Sequence, residues 1–128
     1  MGSLRGETAR TGQVIDAAMK VHSTLGPGLL ESAYSACLAH ELRARGVTAL
    51  VEVPLPVQYC GLRIELAYRL DLVVDGRVVV EVKAVSQLMP VHEAQLLSYL
   101  RMGGYPVGLL INFHVPRLRD GIRRLVNS

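Results

Sequence analysis

The order of helix-like and strand-like segments constrains the fold of this chain more than any other sequence feature. Residues 77–85 are rich in valine, and they are followed by a helical stretch at 92–102 and an apolar run of strand length at 107–113. A strand, a helix and a returning strand form a crossover unit, in which the two strands run parallel. Because Asp75-Gly76 is a two-residue hairpin signal, the sheet must also contain antiparallel neighbours. The pattern predicts a mixed sheet.

The remaining segments complete an α/β architecture, a mixed central β-sheet flanked by helices in the order αβββαβ. Pro54 and Pro56 cannot donate ladder hydrogen bonds, so we expect their strand at an edge of the sheet. The 128 residues suit one domain over residues 1–128, with a core of about 14–126. The predicted segments before and after the crossover unit are helices at 8–25 and 29–45, strands at 47–59 and 62–74, and a short basic helix at 117–126.

Composition excludes several classes of protein. Half of the residues are hydrophobic and 20% are charged, which is typical of a globular chain. No apolar run is long enough to span a membrane, and residues 1–10 lack the apolar core of a signal peptide. Cys37 and Cys60 have no paired spacing, so we expect free thiols in a reducing cytoplasm. The formal charge of +3 permits a nucleic-acid partner without requiring one.

Asp71 interrupts the apolar run of the predicted strand at 62–74, where carboxylates are unfavourable. Glu81 and Lys83 share one face of the next strand because side chains alternate along it. The hairpin at Asp75 brings Asp71 beside Glu81, so two carboxylates and an ammonium group converge. Hard oxygen ligands of this kind suit Mg²⁺ or Mn²⁺. The alternative is that Asp71 forms a structural salt bridge with Arg69.

Polar residues on two predicted helices could join this group. Glu31 lies on an apparently core-facing stripe near a helix N-terminus, where it could equally complement the helix dipole. Gln95 and Tyr99 share a face of the helix at 92–102, four residues apart, which could equally be an exposed face. The histidines lack zinc spacing; we interpret His22 as a packing residue, and His92 as a neighbour of the site at most.

These motifs, in this order and spacing, resemble the PD-(D/E)XK nuclease superfamily. The Gln95-x-x-x-Tyr99 element is similar to its RecB-like branch, and the segment Gly28 to Tyr34 is similar to the motif of the GxxExxY protein family. The resemblance extends from about Val14 to Val126 and implies a restriction-endonuclease-like core.

The resemblance also implies a role for each motif residue. Lys83 would position the attacking water, while Gln95 and Tyr99 would brace the pocket or touch the nucleic-acid backbone. Catalysis would depend on Mg²⁺ or Mn²⁺. The implied metal ligands are Asp71, Glu81, the carbonyl of Val82, and Glu31.

Two functions follow as hypotheses. The first is a metal-dependent nuclease that hydrolyses phosphodiester bonds of DNA, with repair or defence as candidate pathways. The alternative is a catalytically silent nuclease-fold module that binds nucleic acid or a protein partner. A homodimer is a candidate assembly, because a small nuclease often needs a second subunit to hold a duplex. The basic groups available for phosphate contacts are Arg43, Arg45, Arg117, Arg119, Arg123 and Arg124.

Overall fold

The computed structural model describes residues 3–128, with side chains from residue 8 onward except residues 66 and 67. The helices and strands follow one another largely in the predicted order, although the first helix begins earlier. The described helices are α1 (Ser3–Leu25), α2 (Glu31–Ala44) and α3 (Pro90–Gly103). The strands are β1 (Ala49–Tyr59), β2 (Leu62–Val74), β3 (Val78–Lys83), β4 (Val107–Asn112) and β5 (Ile122–Val126).

The five strands form one mixed sheet in the order β1-β2-β3-β4-β5. Only β3 and β4 run parallel, joined through α3, while the other neighbours are antiparallel. This confirms the crossover prediction. Asp75 and Gly76 both have positive φ, as a tight turn between β2 and β3 requires.

β1 lies at an edge of the sheet, as its prolines predict. Its register against β2 shifts between Leu55 and Val57, the interval that contains Pro56. Proline has no N–H to donate to a neighbouring strand, and an edge position with an irregular register avoids that demand.

Both faces of the sheet are covered. On one face, α1 and α2 pack through residues such as Val14, Tyr34 and Leu38 against β3 and β4. On the other face, α3 packs through Leu96 and Leu100. The strand pattern of β3 and β4 is almost continuously apolar because neither face meets water.

The predicted basic helix at 117–126 is wrong. The chain forms a 3₁₀ helix at Leu118–Gly121 and then β5, which pairs antiparallel with β4. With a helix at 117–126, the backbone N–H and C=O groups along the outer edge of β4 would lack partners. A strand there supplies those hydrogen bonds. Gly121 permits this close return, because a Cβ there would lie 2.3 Å from the Asn112 carbonyl oxygen.

Within residues 3–128, no helix is both long and apolar enough to cross a membrane. Cys37 and Cys60 are free thiols, as their spacing predicts.

Candidate active site

Asp71 and Glu81 lie where β2 and β3 begin to part. The paired region of these strands runs from Val74↔Val78 to Leu72↔Val80. One residue further, the Asp71 N–H donates to Glu81 Oε2 at 2.9 Å. The Val82 N–H donates to Asp71 Oδ2 at 2.8 Å. Each carboxylate therefore accepts a backbone N–H from the other strand, and these bonds fix both side chains.

The two carboxylates lie in an environment that disfavours negative charge. Glu81 is 7% exposed. Burial raises its pKa to about 8, and the Asp71 carboxylate adds to the rise. Burial also raises the pKa of Asp71, against the opposing effects of the Val82 N–H and Lys83. A positive charge placed here would relieve this unfavourable electrostatics.

Lys83 ends β3 on the same face as Glu81, as strand alternation predicts. Its positive charge lowers the pKa of both Asp71 and Glu81 and so offsets part of the rise caused by burial. Lys83 therefore lies within electrostatic range of the pair. The Lys83 carbonyl accepts the Phe113 N–H at 2.9 Å, which anchors the strand end. Among the described residues, no ion pair within 4.0 Å joins a carboxylate of this pair to Lys83 or Arg69.

Glu31 approaches the carboxylates from α2 and lines the same open cleft as Asp71. It is the first residue of α2, and its Oε2 accepts the N–H of Ala84 at 3.1 Å. Its charge contributes to the raised pKa of both Asp71 and Glu81. Glu31 therefore sits in the first turn, as the dipole interpretation requires, and also faces the carboxylate pair.

Tyr34 gives a structural reason for the Gly-x-x-Glu-x-x-Tyr spacing. Its hydroxyl donates to the Gly26 carbonyl at 2.5 Å and accepts the Leu29 N–H at 3.1 Å. Its ring stacks on Phe113, with centroids 4.5 Å apart and an interplanar angle of 8°. These contacts fix the loop before α2, and hence the place where Glu31 begins that helix.

Asn112 holds the segment that follows β3, a role the sequence analysis missed. Its Oδ1 accepts N–H groups of Val85 at 3.0 Å and His114 at 3.2 Å. Its Nδ2 donates to the Val85 carbonyl at 2.9 Å. The available signal was a polar residue closing an apolar strand, where a buried amide must find partners.

Glu52 is a second residue that the sequence analysis missed. It lies opposite Asp71, between the paired residues Val51↔Leu72 and Val53↔Leu70. Its φ of 50° is unusual for a side-chain-bearing residue in a strand. Its charge also contributes to the raised pKa of Asp71. A single carboxylate in an apolar strand was the signal, as it was for Asp71.

An open cleft of about 520 Å³ exposes this part of the molecule to solvent. Three of its lining residues are carboxylates, and small side chains from α2 widen it. The lining residues are Glu31, Ser32, Ser35, Ala36, Val51, Glu52 and Asp71.

The two α3 residues of the motif have different surroundings. Tyr99 is 6% exposed, and burial raises its pKa, with Glu81 as the next cause. Tyr99 therefore lies close to the carboxylate pair. Gln95 lies one turn earlier and is exposed, and no hydrogen bond between described residues joins it to the pair.

The two histidines singled out by sequence have structural contacts. His22 Nε2 lies 2.8 Å from the Val115 carbonyl oxygen, and its ring is 6.3 Å from that of Phe113. This confirms the packing interpretation. His92 Nδ1 accepts the Met89 N–H at 2.9 Å, so it caps the start of α3.

The donor chemistry fits a hard divalent cation, although the ligand set is not assembled. As the side chains stand, no group of three His, Cys, Asp or Glu residues among the described ones could hold a metal ion. The oxygen donors of Asp71, Glu81 and Glu31 are nevertheless those that Mg²⁺ and Mn²⁺ prefer. A cation would favour the charged form of Glu81, which burial and then the nearby Asp71 carboxylate disfavour.

A protein-family model described as the PD-(D/E)XK nuclease superfamily matches residues 8–125. It covers the loop before α2, the β2–β3 hairpin, α3, β4 and all but the last residue of β5. No curated protein and no solved structure matches the chain.

Proposed function

The chain belongs to the PD-(D/E)XK nuclease superfamily, and from this premise we propose that it is a nuclease dependent on Mg²⁺ or Mn²⁺ that hydrolyses phosphodiester bonds of DNA. The observation that carries the proposal is the Asp71–Glu81 pair, held by reciprocal backbone hydrogen bonds with Lys83 nearby. A buried carboxylate beside a second, partly buried one is unfavourable for stability alone, and such perturbed groups are common at functional sites.

Four groups would hold the metal: the carboxylates of Asp71, Glu81 and Glu31, and the carbonyl of Val82. A bound divalent cation would neutralise charge that builds up on the phosphate. The Val82 N–H orients Asp71 and the Asp71 N–H orients Glu81, so both carboxylates are positioned in advance.

Lys83 would hold and orient the attacking water beside the phosphate. The Phe113 N–H anchors the Lys83 backbone at the end of β3, and the Lys83 charge lowers the pKa of both carboxylates. Tyr99 would brace the pocket from α3. Gln95, which is exposed, is better placed to touch the nucleic-acid backbone than to support the carboxylates.

The loop anchored by Tyr34 supports assignment to the GxxExxY family, which we also propose. Two free, exposed cysteines suit a reducing cytoplasm. A homodimer would supply the surface that so small a domain lacks for holding a duplex.

The rival function is a catalytically silent module that binds nucleic acid or a protein. It is favoured by one observation: the described carboxylates do not form a closed metal site as they stand. The presence of Asp71, Glu81 and Lys83 together favours the enzyme, because a nuclease-fold module without catalytic activity usually lacks one of these motif residues.

The deciding experiment is a cleavage assay on end-labelled single-stranded DNA, duplex DNA and RNA, with Mg²⁺, Mn²⁺ or EDTA. We expect cleavage of DNA by the wild-type protein with either metal, and none with EDTA. Lys83→Ala, purified in parallel, controls for contaminating nucleases. If the wild-type protein binds DNA but leaves every substrate intact with both metals, the silent module is correct.

A further inference from the structure

An aromatic ring is exposed beside the carboxylate pair. Tyr68 on β2 is 44% exposed, although it is three residues from the buried Asp71–Glu81 pair. Its ring lies against that of Tyr99, with centroids 5.3 Å apart and planes tilted by 47°. Tyr99 thus supports Tyr68 from the protein side and leaves part of the Tyr68 ring open to solvent.

Tyr99 connects this ring to the catalytic end of the sheet. Burial is the main cause of the raised pKa of Tyr99, but Glu81 and Tyr68 both contribute. The tyrosine therefore has the carboxylate and the exposed ring as close neighbours. A ligand lying on Tyr68 would therefore lie near the proposed reaction centre.

The backbone around Tyr68 extends past the rest of the sheet. Between described residues, β2 pairs with β3 over Leu72–Val74, whereas its pairing with β1 continues back to Leu62. The hairpin formed by residues 53–70 consequently projects beyond the carboxylate pair as an arm.

We propose that Tyr68 stacks on an unpaired base of a single-stranded nucleic acid whose backbone passes the Asp71–Glu81 pair. This inference rests on the proposed nuclease function and names its substrate class. An aromatic face can stack on any nucleobase. In a duplex, the faces of the bases are covered by stacking, so a duplex must first open to use this ring.

The occupant is a nucleic acid rather than a second protein because of the groups that surround the ring. Through Tyr99, the ring lies close to a centre suited to phosphodiester chemistry. A protein contact would use the apolar ring but would have no use for that centre.

The test measures binding in EDTA, so that no cleavage occurs. A short single-stranded DNA carrying the fluorescent base 2-aminopurine is titrated with wild-type protein, Tyr68→Leu and Tyr68→Phe. We expect Tyr68→Leu to bind the single strand about 5- to 150-fold more weakly and to lose the fluorescence change caused by stacking. Tyr68→Phe should retain both, because its ring still stacks.

Tyr59→Leu is the matched control, since Tyr59 is 69% exposed at the far end of the same hairpin. It should bind as the wild-type protein does. Binding of a blunt, fully paired duplex should be the same for Tyr68→Leu and wild type. Thermal melting of each variant verifies that it is folded.

Several results would overturn the inference. One is unchanged binding of the single strand by folded Tyr68→Leu; another is an equal loss of duplex binding. A changed oligomeric state in light scattering, without a change in binding, would mean that Tyr68 contacts a second copy. If the wild-type protein cleaves DNA but Tyr68 has no effect, the nuclease function stands and this inference fails. If the wild-type protein neither binds nor cleaves nucleic acid, both fail.

Discussion

The Asp71 N–H donates a hydrogen bond to Glu81 Oε2 at 2.9 Å, at the point where the ladder between β2 and β3 ends. Asp71 in turn accepts the Val82 N–H. Two acidic side chains thus replace backbone carbonyls as acceptors. These hydrogen bonds fix both side chains in an environment that disfavours their negative charge. Their ionisation is therefore sensitive to pH and to cations.

The first prediction concerns pH. The folded-state pKa of Glu81 is about 8, above its usual value of 4.5. The folded protein therefore holds a proton that the unfolded chain loses between these values. The free energy of unfolding should fall as pH rises from about 4.5 to about 8, by up to about 1.4 kcal/mol per pH unit. The raised pKa of Asp71 acts in the same direction.

Urea unfolding of the metal-free protein across this range measures the effect. Glu81→Gln should flatten the dependence because it removes the main titrating group. An identical pH dependence in wild type and Glu81→Gln would show that Glu81 titrates normally.

The second prediction concerns metal binding. Mn²⁺ or Mg²⁺ should raise the melting temperature by mass action, and the effect should grow with pH as the carboxylates lose their protons. Asp71→Asn should bind Mn²⁺ at least about tenfold more weakly by calorimetry, the usual scale for losing a group that supports a metal site. Asp16→Asn, at an exposed position on α1, is the control. Equal Mn²⁺ affinity in Asp71→Asn and wild type would remove Asp71 from the site.

The third prediction concerns Lys83. Lys83→Ala should fold, bind Mn²⁺ and nucleic acid, and cleave at least about a hundredfold more slowly, because it lacks the group that positions the water. Lys83→Arg should not restore the rate, since a planar guanidinium has a different reach and geometry. Arg10→Ala removes a cation that pairs with Asp75, at the opposite end of the β2–β3 ladder from Asp71, and should cleave normally. Equal rates for Lys83→Ala and wild type would leave Lys83 without a catalytic role.

The fourth prediction concerns Tyr34. Tyr34→Phe keeps the ring that stacks on Phe113 but removes both hydroxyl hydrogen bonds. We expect a loss of about 1–3 kcal/mol in stability and weaker Mn²⁺ binding, because the loop no longer fixes Glu31. In a double-mutant cycle, Tyr34→Phe should weaken Mn²⁺ binding less when Glu31 is already Gln. If the two substitutions weaken Mn²⁺ binding additively, Tyr34 stabilises the fold but does not position Glu31.

The fifth prediction concerns the basic residues near the C-terminus. Arg117 and Arg119 line one groove with Lys20 and His22. If this groove binds phosphates, Arg117→Gln with Arg119→Gln should flatten the salt dependence of DNA binding by up to roughly two log units per log unit of salt. Cleavage-free binding in EDTA at several salt concentrations measures the slope. An unchanged slope would show that these arginines are merely solvated.

Arg123 and Arg124 provide the comparison for that experiment. A helix could place them on one face, but in β5 adjacent side chains point to opposite faces of the sheet. A nucleic-acid chain that lies on one face of the sheet can therefore contact only one of these two arginines. Replacing both should lower the slope by no more than about one unit.

Local spacing in the sequence determined much of the candidate site. Alternation placed Glu81 and Lys83 on the same face of β3, and the Asp75-Gly76 turn placed Asp71 beside Glu81. Pro54 and Pro56 predicted the edge strand. These inferences succeeded because strand alternation and turn geometry depend on a few consecutive residues.

Tertiary structure decided the rest. Several features of the site depend on contacts between segments distant in sequence. Glu52 and Glu31 approach Asp71 from other elements, and the ring of Tyr68 lies on that of Tyr99. Tyr34 anchors the loop before its own helix while its ring stacks on Phe113. The error at 117–126 had the same origin: Arg123 and Arg124 fit a helix locally, but the unpaired edge of β4 required a strand. Burial likewise sets the pKa of Glu81, because the cost of charge depends on the surrounding packed chain, which no short stretch of sequence contains.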